Sequence, residues 1–270
     1  MPGTRLYSSP GATGEPELIL AGPFDPARIR AILLDIEGTT TPVEFVYEVL
    51  FPYARAHLES FLRRNRERAD VRVDLEALRR EHASQAQRTA DLPAWRGNSS
   101  DAEVQSAVAY VFWLMDRDAK STALKSLQGK IWETGYRNRK LRGQVYSDVR
   151  PAFARWRGQN RSICIFSSGS VQAQKLLFAN STAGDLTPFI RSYFDTTSGP
   201  KQDKQSYRRI TAALRLEPGK ALFLSDVIAE LEAARRAGME TTLCVRPGHP
   251  AAIESGGALR IVRTFDEVFP

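Results

Sequence analysis

The chain has 270 residues, 42% of them hydrophobic and 26% charged, with 18 Gly, 15 Pro and a formal charge of +7. That composition excludes a disordered, collagenous or disulfide-stapled protein, and the length suits one large domain or two modest ones. No stretch approaches the roughly 20 apolar residues of a membrane helix. MPGTRLYSSPGATGEPEL lacks the apolar centre of a secretory signal. Cys164 and Cys244 each sit inside an apolar run, where a thiol behaves as a small hydrophobe. The expectation is a cytoplasmic protein with reduced cysteines.

Residues 1–28 are rich in Gly, Pro and Ser and show no apolar period, so they read as a mobile tail. AILLDI then reads as a buried strand, broken sharply at Gly38 and three threonines. From Phe45 to about Leu141 the apolar spacing is helical (Phe45, Val49, Tyr53; later Val104, Val108, Val111, Met115). Pro93 and the cluster Gly97 to Ser100 mark a loop there, and Asp101 is a candidate N-cap for the next helix.

After Pro151 the pattern alternates, with PAFARWR, VQAQKLLFAN, SYRRITAALR and IAELEAARRAG as helices. SICIFSS, SYFDT, ALFLSD and TTLCV are the strands. Alternating units of this kind build a parallel sheet wrapped by helices. The strand before Gly38 joins that sheet only if the helical stretch is an insertion. The expected fold class is α/β: a Rossmann-like parallel core (29–44 and 146–270) with an inserted all-helical cap domain (45–145).

The charge is uneven. From Arg117 to Arg142 there are eight Lys or Arg against two acids, whereas from Arg55 to Arg88 nine Arg face six acids. The first segment also holds Trp132 and Tyr136, so it can be weighed as a nucleic-acid surface, a solvated face, or a roof that draws in a phosphorylated substrate. Its cations are spread around the helix with no nucleic-acid motif beside them.

Ligands of a doubly wound sheet bind beyond the carboxyl ends of its strands. Those ends carry Asp35-Ile36-Glu37-Gly38-Thr39-Thr40, Ser167-Ser168-Gly169-Ser170 and Ser225-Asp226, with Gly199-Pro200-Lys201 just ahead of a helix. A carboxylate nucleophile, hydroxyl and amide donors, a lysine and a second carboxylate are what phosphoryl transfer through an aspartyl phosphate requires. His57, His82 and His249 are dispersed and read as structural or solvated.

DIEGTTTP, FSSGS, the Lys201 segment and FLSDV resemble the four motifs of the haloacid dehalogenase superfamily of phosphatases. More narrowly, DIEGTTTPVEFV, FPYA, TALKSLQGKIW, YSDVRPA, SSGSVQAQKLLF and VRPG resemble the enolase-phosphatases of methionine salvage, from about residue 30 to the end. The tail and the stretch Arg63 to Asn98 depart from that pattern.

The resemblance implies enolisation and then dephosphorylation of 2,3-diketo-5-methylthiopentyl 1-phosphate, giving an acireductone, with Mg²⁺ as cofactor. It implies that Asp35 is the nucleophile and a metal ligand, and that Glu37 is the acid/base residue, its main-chain carbonyl also on the metal. Ser167, Ser168 and Gly169 would bind phosphate, Ser167 being otherwise an N-cap, and Thr39 to Thr41 would be further donors or simple loop residues. Lys201, preferred over Lys204, would neutralise the phosphate. Asp226 would be the second metal carboxylate, and Glu230 would hold the metal through a water or be an ordinary first-turn helix acid. Leu127, Gly129 and Trp132 fall in a cap block. The expected partner is a small phosphorylated diketone, with no nucleic acid, no membrane and a monomeric state. The alternatives are a related phosphatase for another small metabolite, or a nucleic-acid binder on a degenerate core.

Overall fold

The computed structural model describes residues 25–86, 89–97, 99–119, 121–248 and 260–270. His249, Asn98 and most of the segment read as a tail lie outside the described residues. The end of that segment, Pro26–Arg28, is a turn of helix capped by Asp25, and Ile29 behind it is buried.

The first strand, β1 (Ala31–Leu34), is buried along its whole length because strands flank it on both sides. A strand in the middle of a parallel sheet is covered on both faces and therefore reads as an unbroken apolar run. β2 (Ser162–Phe166) and β3 (Ile190–Phe194) lie to one side of it. β4 (Ala221–Ser225), β5 (Glu240–Cys244) and β6 (Arg260–Val262) lie to the other. All pairings are parallel, in the order β3-β2-β1-β4-β5-β6. The order reverses at β1, which puts a crevice at its carboxyl end.

Four helices cross over the sheet: α5 (Val149–Gly158), α6 (Val171–Ala179), α7 (Lys204–Ala213) and α8 (Ile228–Arg236). Alternate residues of β1 belong to opposite cores, as the period of two demands. Ile32 and Leu34 pack with Phe153, Trp156 and Phe178 of α5 and α6. Ala31 and Leu33 pack with Tyr207, Ile210 and Leu231 of α7 and α8. Cys164 and Cys244 are buried free thiols, and burial pushes each up to about 12.

Between β1 and α5 the chain makes a wide π-type turn (Phe45–Leu50) and four helices: α1 (Phe51–Asn65), α2 (Ala69–Gln85), α3 (Ser100–Asp116) and α4 (Thr122–Arg137). They enclose a core of their own, including Leu58, Leu62, Leu78, Val111, Leu114 and Leu127. The N-cap of α3 is Ser99, whose hydroxyl accepts from Ala102 N (3.2 Å), and not Asp101. Asp101 instead stands in the first turn and pairs with Arg63. Of the basic stretch, Lys130 is bound to Asp74 and Arg117 to Asp91, while Arg137 pairs with Glu133. These pairs take several cations out of a surface free to meet phosphates.

The helical insert is seated on the sheet domain by specific contacts. Trp132 Nε1 donates to Leu50 O (2.8 Å), and Gln172 of α6 donates to Glu133 of α4 (2.9 Å). Phe45, Val46, Leu50, Tyr136 and Leu141 join the core on the α5 and α6 face.

Candidate active site

The ladder of β1 runs on to Asp35, whose amide donates to Leu224 O (3.0 Å), so the Asp35 side chain emerges at the crevice. The chain then knots: the amides of Thr39, Thr40 and Thr41 all point to the Ile36 carbonyl (3.2, 2.9 and 2.9 Å). Gly38 takes φ +68°, and a Cβ there would run into the Asp226 carboxylate. Only glycine meets both demands. Thr40 Oγ1 lies 3.2 Å from the carbonyls of Asp35 and Ile36, while Thr39 and Thr41 are fully buried with hydroxyls that meet no partner.

Asp35 is buried and well satisfied. Its Oδ1 accepts from Ile36 N (2.7 Å) and pairs with Lys201 Nζ (2.6 Å). The Ser225 hydroxyl lies 3.3 Å from Asp35 Oδ2 and 3.1 Å from Glu230 Oε2, and donates its one proton to either. Lys201 Nζ also pairs with Glu230 Oε2 (2.7 Å). Its backbone is fixed because buried Tyr207 donates from its hydroxyl to Lys201 O (2.7 Å). Lys204 opens α7 on the exposed side.

Ser167 is buried at the end of β2, and its hydroxyl accepts from Gly169 N (3.1 Å). The N-cap of α6 is Ser170, which accepts from Ala173 N (3.2 Å). Ser168 is exposed, and its carbonyl accepts from Lys125 Nζ of α4 (3.4 Å). The amides of residues 168–170 thus gather at the start of a helix, where an anion is favoured.

Electrostatics follow from crowding. Burial, reinforced by the Asp35 charge, pushes the Glu37 carboxyl up to about 7. Burial and Asp35 likewise push Glu230 up to about 7 against the pull of Lys201. Burial works against the Lys201 ammonium, but Asp35 and Glu230 outweigh it and hold its pKa above the ordinary lysine value. Asp35, Glu37 and Glu230 near Lys201, with Asp226 beside the turn at Gly38, leave a surplus of negative charge in a buried place, which is costly unless a proton or a cation offsets it. Hard carboxylate and carbonyl oxygens are the donor set of a divalent cation such as Mg²⁺. Among the described residues no three His, Cys, Asp or Glu side chains converge as a metal centre. A cation here would draw on two carboxylates, those of Asp35 and Asp226, completed by backbone oxygen. The residues fit a metal of that kind.

A cavity of about 390 Å³ lies between the sheet end and the insert. Glu37, Lys125, Ser167, Ser168 and Gly169 line it together with Phe51, Leu114, Met115, Leu124 and Trp132. Of the cap-block residues named from sequence, Trp132 reaches the cavity, whereas Leu127 and Gly129 are buried within α4. Lys125 was not singled out from sequence, although it stands in TALKSLQGKIW.

Comparison with known proteins decides the family. A profile described as haloacid dehalogenase-like hydrolase matches residues 29–238. The enolase-phosphatase E1 of Synechococcus elongatus (strain PCC 7942) is 52% identical over 243 residues, covering 90% of this chain and 99% of its own. The chain belongs to the haloacid dehalogenase-like hydrolases, in the enolase-phosphatase family. The enolase-phosphatase E1 of Drosophila melanogaster is 44% identical over 82% of this chain and 85% of its own. Among solved structures, the UTR4 protein of Saccharomyces cerevisiae has a TM-score of 0.71 at 31% identity, over 89% of this chain and 100% of that one. Lys201 lies between the carboxylates of Asp35, at the end of β1, and Glu230, in the first turn of α8.

His57 Nδ1 lies 2.9 Å from Tyr53 O and His82 Nε2 lies 2.7 Å from Pro93 O, both inside the helical insert and away from this cluster. No helix of the described residues is long and apolar enough to cross a membrane.

Proposed function

We propose that this enzyme enolises 2,3-diketo-5-methylthiopentyl 1-phosphate and then removes its phosphate, yielding the acireductone 1,2-dihydroxy-3-keto-5-methylthiopentene in methionine salvage. The observation that carries this reading is the cavity, whose lining combines a carboxylate (Glu37), a lysine (Lys125) and the donors of Ser167, Ser168 and Gly169 with aromatic and aliphatic side chains suited to a methylthio tail.

In the first step a proton leaves the carbon that bears the phosphate ester, and the neighbouring carbonyl oxygen gains one. Glu37, whose carboxyl titrates near neutrality, is suited to move that proton. In the second step an Asp35 oxygen attacks phosphorus and the bond from phosphorus to the C1 ester oxygen breaks. Glu37, reprotonated between the two steps, gives a proton to the leaving oxygen and then takes one from the water that attacks the aspartyl phosphate, which releases phosphate and restores Asp35. Lys201 and the amides after Ser167 stabilise the charge that builds on the phosphoryl oxygens.

The Asp35 and Asp226 carboxylates with the Glu37 main-chain carbonyl would hold Mg²⁺, Glu230 lying behind Lys201. When bound, the cation supplies Lewis-acid polarisation of substrate oxygens. In the basic stretch Arg117, Lys130 and Arg137 are each paired with an acid, which favours a metabolite over a nucleic acid. The two buried thiols suit a reducing cytoplasm.

The test is direct. Purified full-length protein with the diketone phosphate should release phosphate and develop the ultraviolet absorbance of the enediol, and EDTA should abolish both. Phosphate release without the absorbance would leave a phosphatase for another metabolite, and neither signal would overturn the reading.

A further inference from the structure

Arg246 follows β5 and is enclosed, its side chain only 3% exposed. The guanidinium is stacked between two rings, 4.3 Å from the centroids of both Tyr146 and Phe265. Its Nε donates to Thr39 O (2.9 Å) and its Nη1 to Asp148 Oδ2 (2.5 Å). The same Asp148 oxygen accepts from Phe265 N (2.6 Å).

Thr39 lies in the knot that carries Asp35 and Glu37. The inside of that knot is closed by its own amides on Ile36 O, so its outward carbonyls need partners from elsewhere. Thr40 O is taken by Tyr146 N (3.1 Å), and Thr39 O by Arg246. Tyr146 and Asp148 belong to the segment by which the chain returns from the helical insert into α5. The back of the acid/base turn is therefore tied to the return linker twice, once through backbone and once through one buried cation.

Stability alone does not account for that cation. Burying a guanidinium and a carboxylate is costly, and a well-packed apolar side chain between two rings is commonly as stable or more so. What an apolar residue cannot do is hold a carbonyl at a set place and angle. A displacement of about 1 Å of a catalytic group can cost on the order of 100-fold in rate.

We propose that Arg246, fixed by Asp148, is a positioning residue. Through Thr39 O it sets the turn that aims Glu37, and through the return linker it ties that aim to the seat of the helical insert. The inference rests on the proposed function for the identity of the substrate and for the acid/base role of Glu37.

The experiment is a double-mutant cycle of Arg246→Lys with Glu37→Gln at saturating Mg²⁺. A lysine keeps the positive charge but lacks the fork that reaches two acceptors at once. Arg246→Lys should lower kcat about 10- to 100-fold with KM within about 3-fold. In the Glu37→Gln background the same change should cost less than about 3-fold, since a group already disabled cannot be misaimed. A loss equal in both backgrounds, a loss confined to KM, or no loss overturns the proposal. Asp148→Asn, nearly isosteric, is taken through the same cycle, and decides the matter if Arg246→Lys does not fold.

The two readings fail differently. A wild-type protein that ignores the diketone phosphate but turns over an aryl phosphate overturns the proposed function, and the cycle is then read on the aryl phosphate. A protein inactive on both overturns both readings.

Discussion

Lys201 Nζ lies 2.6 Å from Asp35 Oδ1, and the same ammonium binds Glu230 Oε2 at 2.7 Å. One cation thus keeps two buried carboxylates, from β1 and α8, facing inward without mutual repulsion. Lys201→Met removes that cation while keeping most of the side-chain length. Breaking a buried pair in this way typically costs about 3–5 kcal/mol because an uncompensated charge remains. Losing one donor to a developing oxyanion typically costs on the order of 10²–10³ in rate. Lys201→Met should show both effects, read by chemical denaturation and by phosphate release. Activity within a few-fold of wild type would remove Lys201 from the reaction.

The two carboxylates that flank Ile36 should separate the two half-reactions. Asp35→Asn keeps shape and the bond from Ile36 N, yet an amide cannot form the acyl phosphate. With Mg²⁺ present it should accumulate the phosphorylated enol, visible by phosphorus NMR. Glu37→Gln keeps length and the backbone carbonyl, so Mg²⁺ affinity should change little. Its turnover should fall by on the order of 10²–10⁴, the usual worth of general acid-base help. A collapse of Mg²⁺ affinity would make the Glu37 side chain itself a ligand.

Chelation and pH should act on one another. Glu37 and Glu230 bind protons more tightly in the folded state, having been pushed up to about 7 from 4.5. Where the folded state holds more protons than the unfolded one, stability falls as pH rises. EDTA-treated protein should therefore lose roughly 1–3 kcal/mol between about pH 4.5 and pH 7. Mg²⁺ competes with those protons, so the stabilisation it confers should be larger at pH 7.5 than at pH 5.5. Denaturant midpoints with and without Mg²⁺ at the two pH values measure this, and a pH-independent Mg²⁺ effect would count against binding among these carboxylates.

Most of this site is legible in sequence because each part is a short continuous motif at the end of an apolar run. β1 is fully buried, so AILLD announces itself, and Asp35, Ser167 and Asp226 each follow a strand directly. Lys201 is fixed by its place ahead of α7. What is not legible depends on distant partners. Arg246 stands in the VRPG block, but its role is not legible until Thr39, Asp148 and Phe265 are brought around it. The pairing of Glu230 with Lys201 joins α8 to the loop before α7, and no local spacing encodes it. β6 escapes notice because RIV is three residues on an edge and only Val262 is buried. The N-cap at Ser99 was missed by two positions because Ser and Asp both suit that role and stand close together.

Gly38 offers the sharpest separation of stability from function. Its φ of +68° is unfavourable for any side chain, so Gly38→Ala should cost about 1–2 kcal/mol from backbone strain. The new methyl group would also collide with the Asp226 carboxylate and push it away from the knot that bears Asp35 and Glu37. If Asp226 holds the metal, Mg²⁺ affinity should drop at least about 10-fold and turnover about 100-fold or more, the scale expected when a catalytic group is misplaced by an ångström. Gly129→Ala is the matched control. A Cβ at Gly129 meets nothing within 4 Å and the position is inside α4, so alanine there should be neutral or stabilise the protein by about 0.5–1 kcal/mol. Both variants are read by thermal unfolding, by Mg²⁺ titration calorimetry and by phosphate release. A Gly38→Ala protein that loses only stability, with Mg²⁺ binding and turnover intact, would show that Asp226 does its work from a place the methyl group does not disturb, and the assignment of Asp226 as a metal ligand would fall.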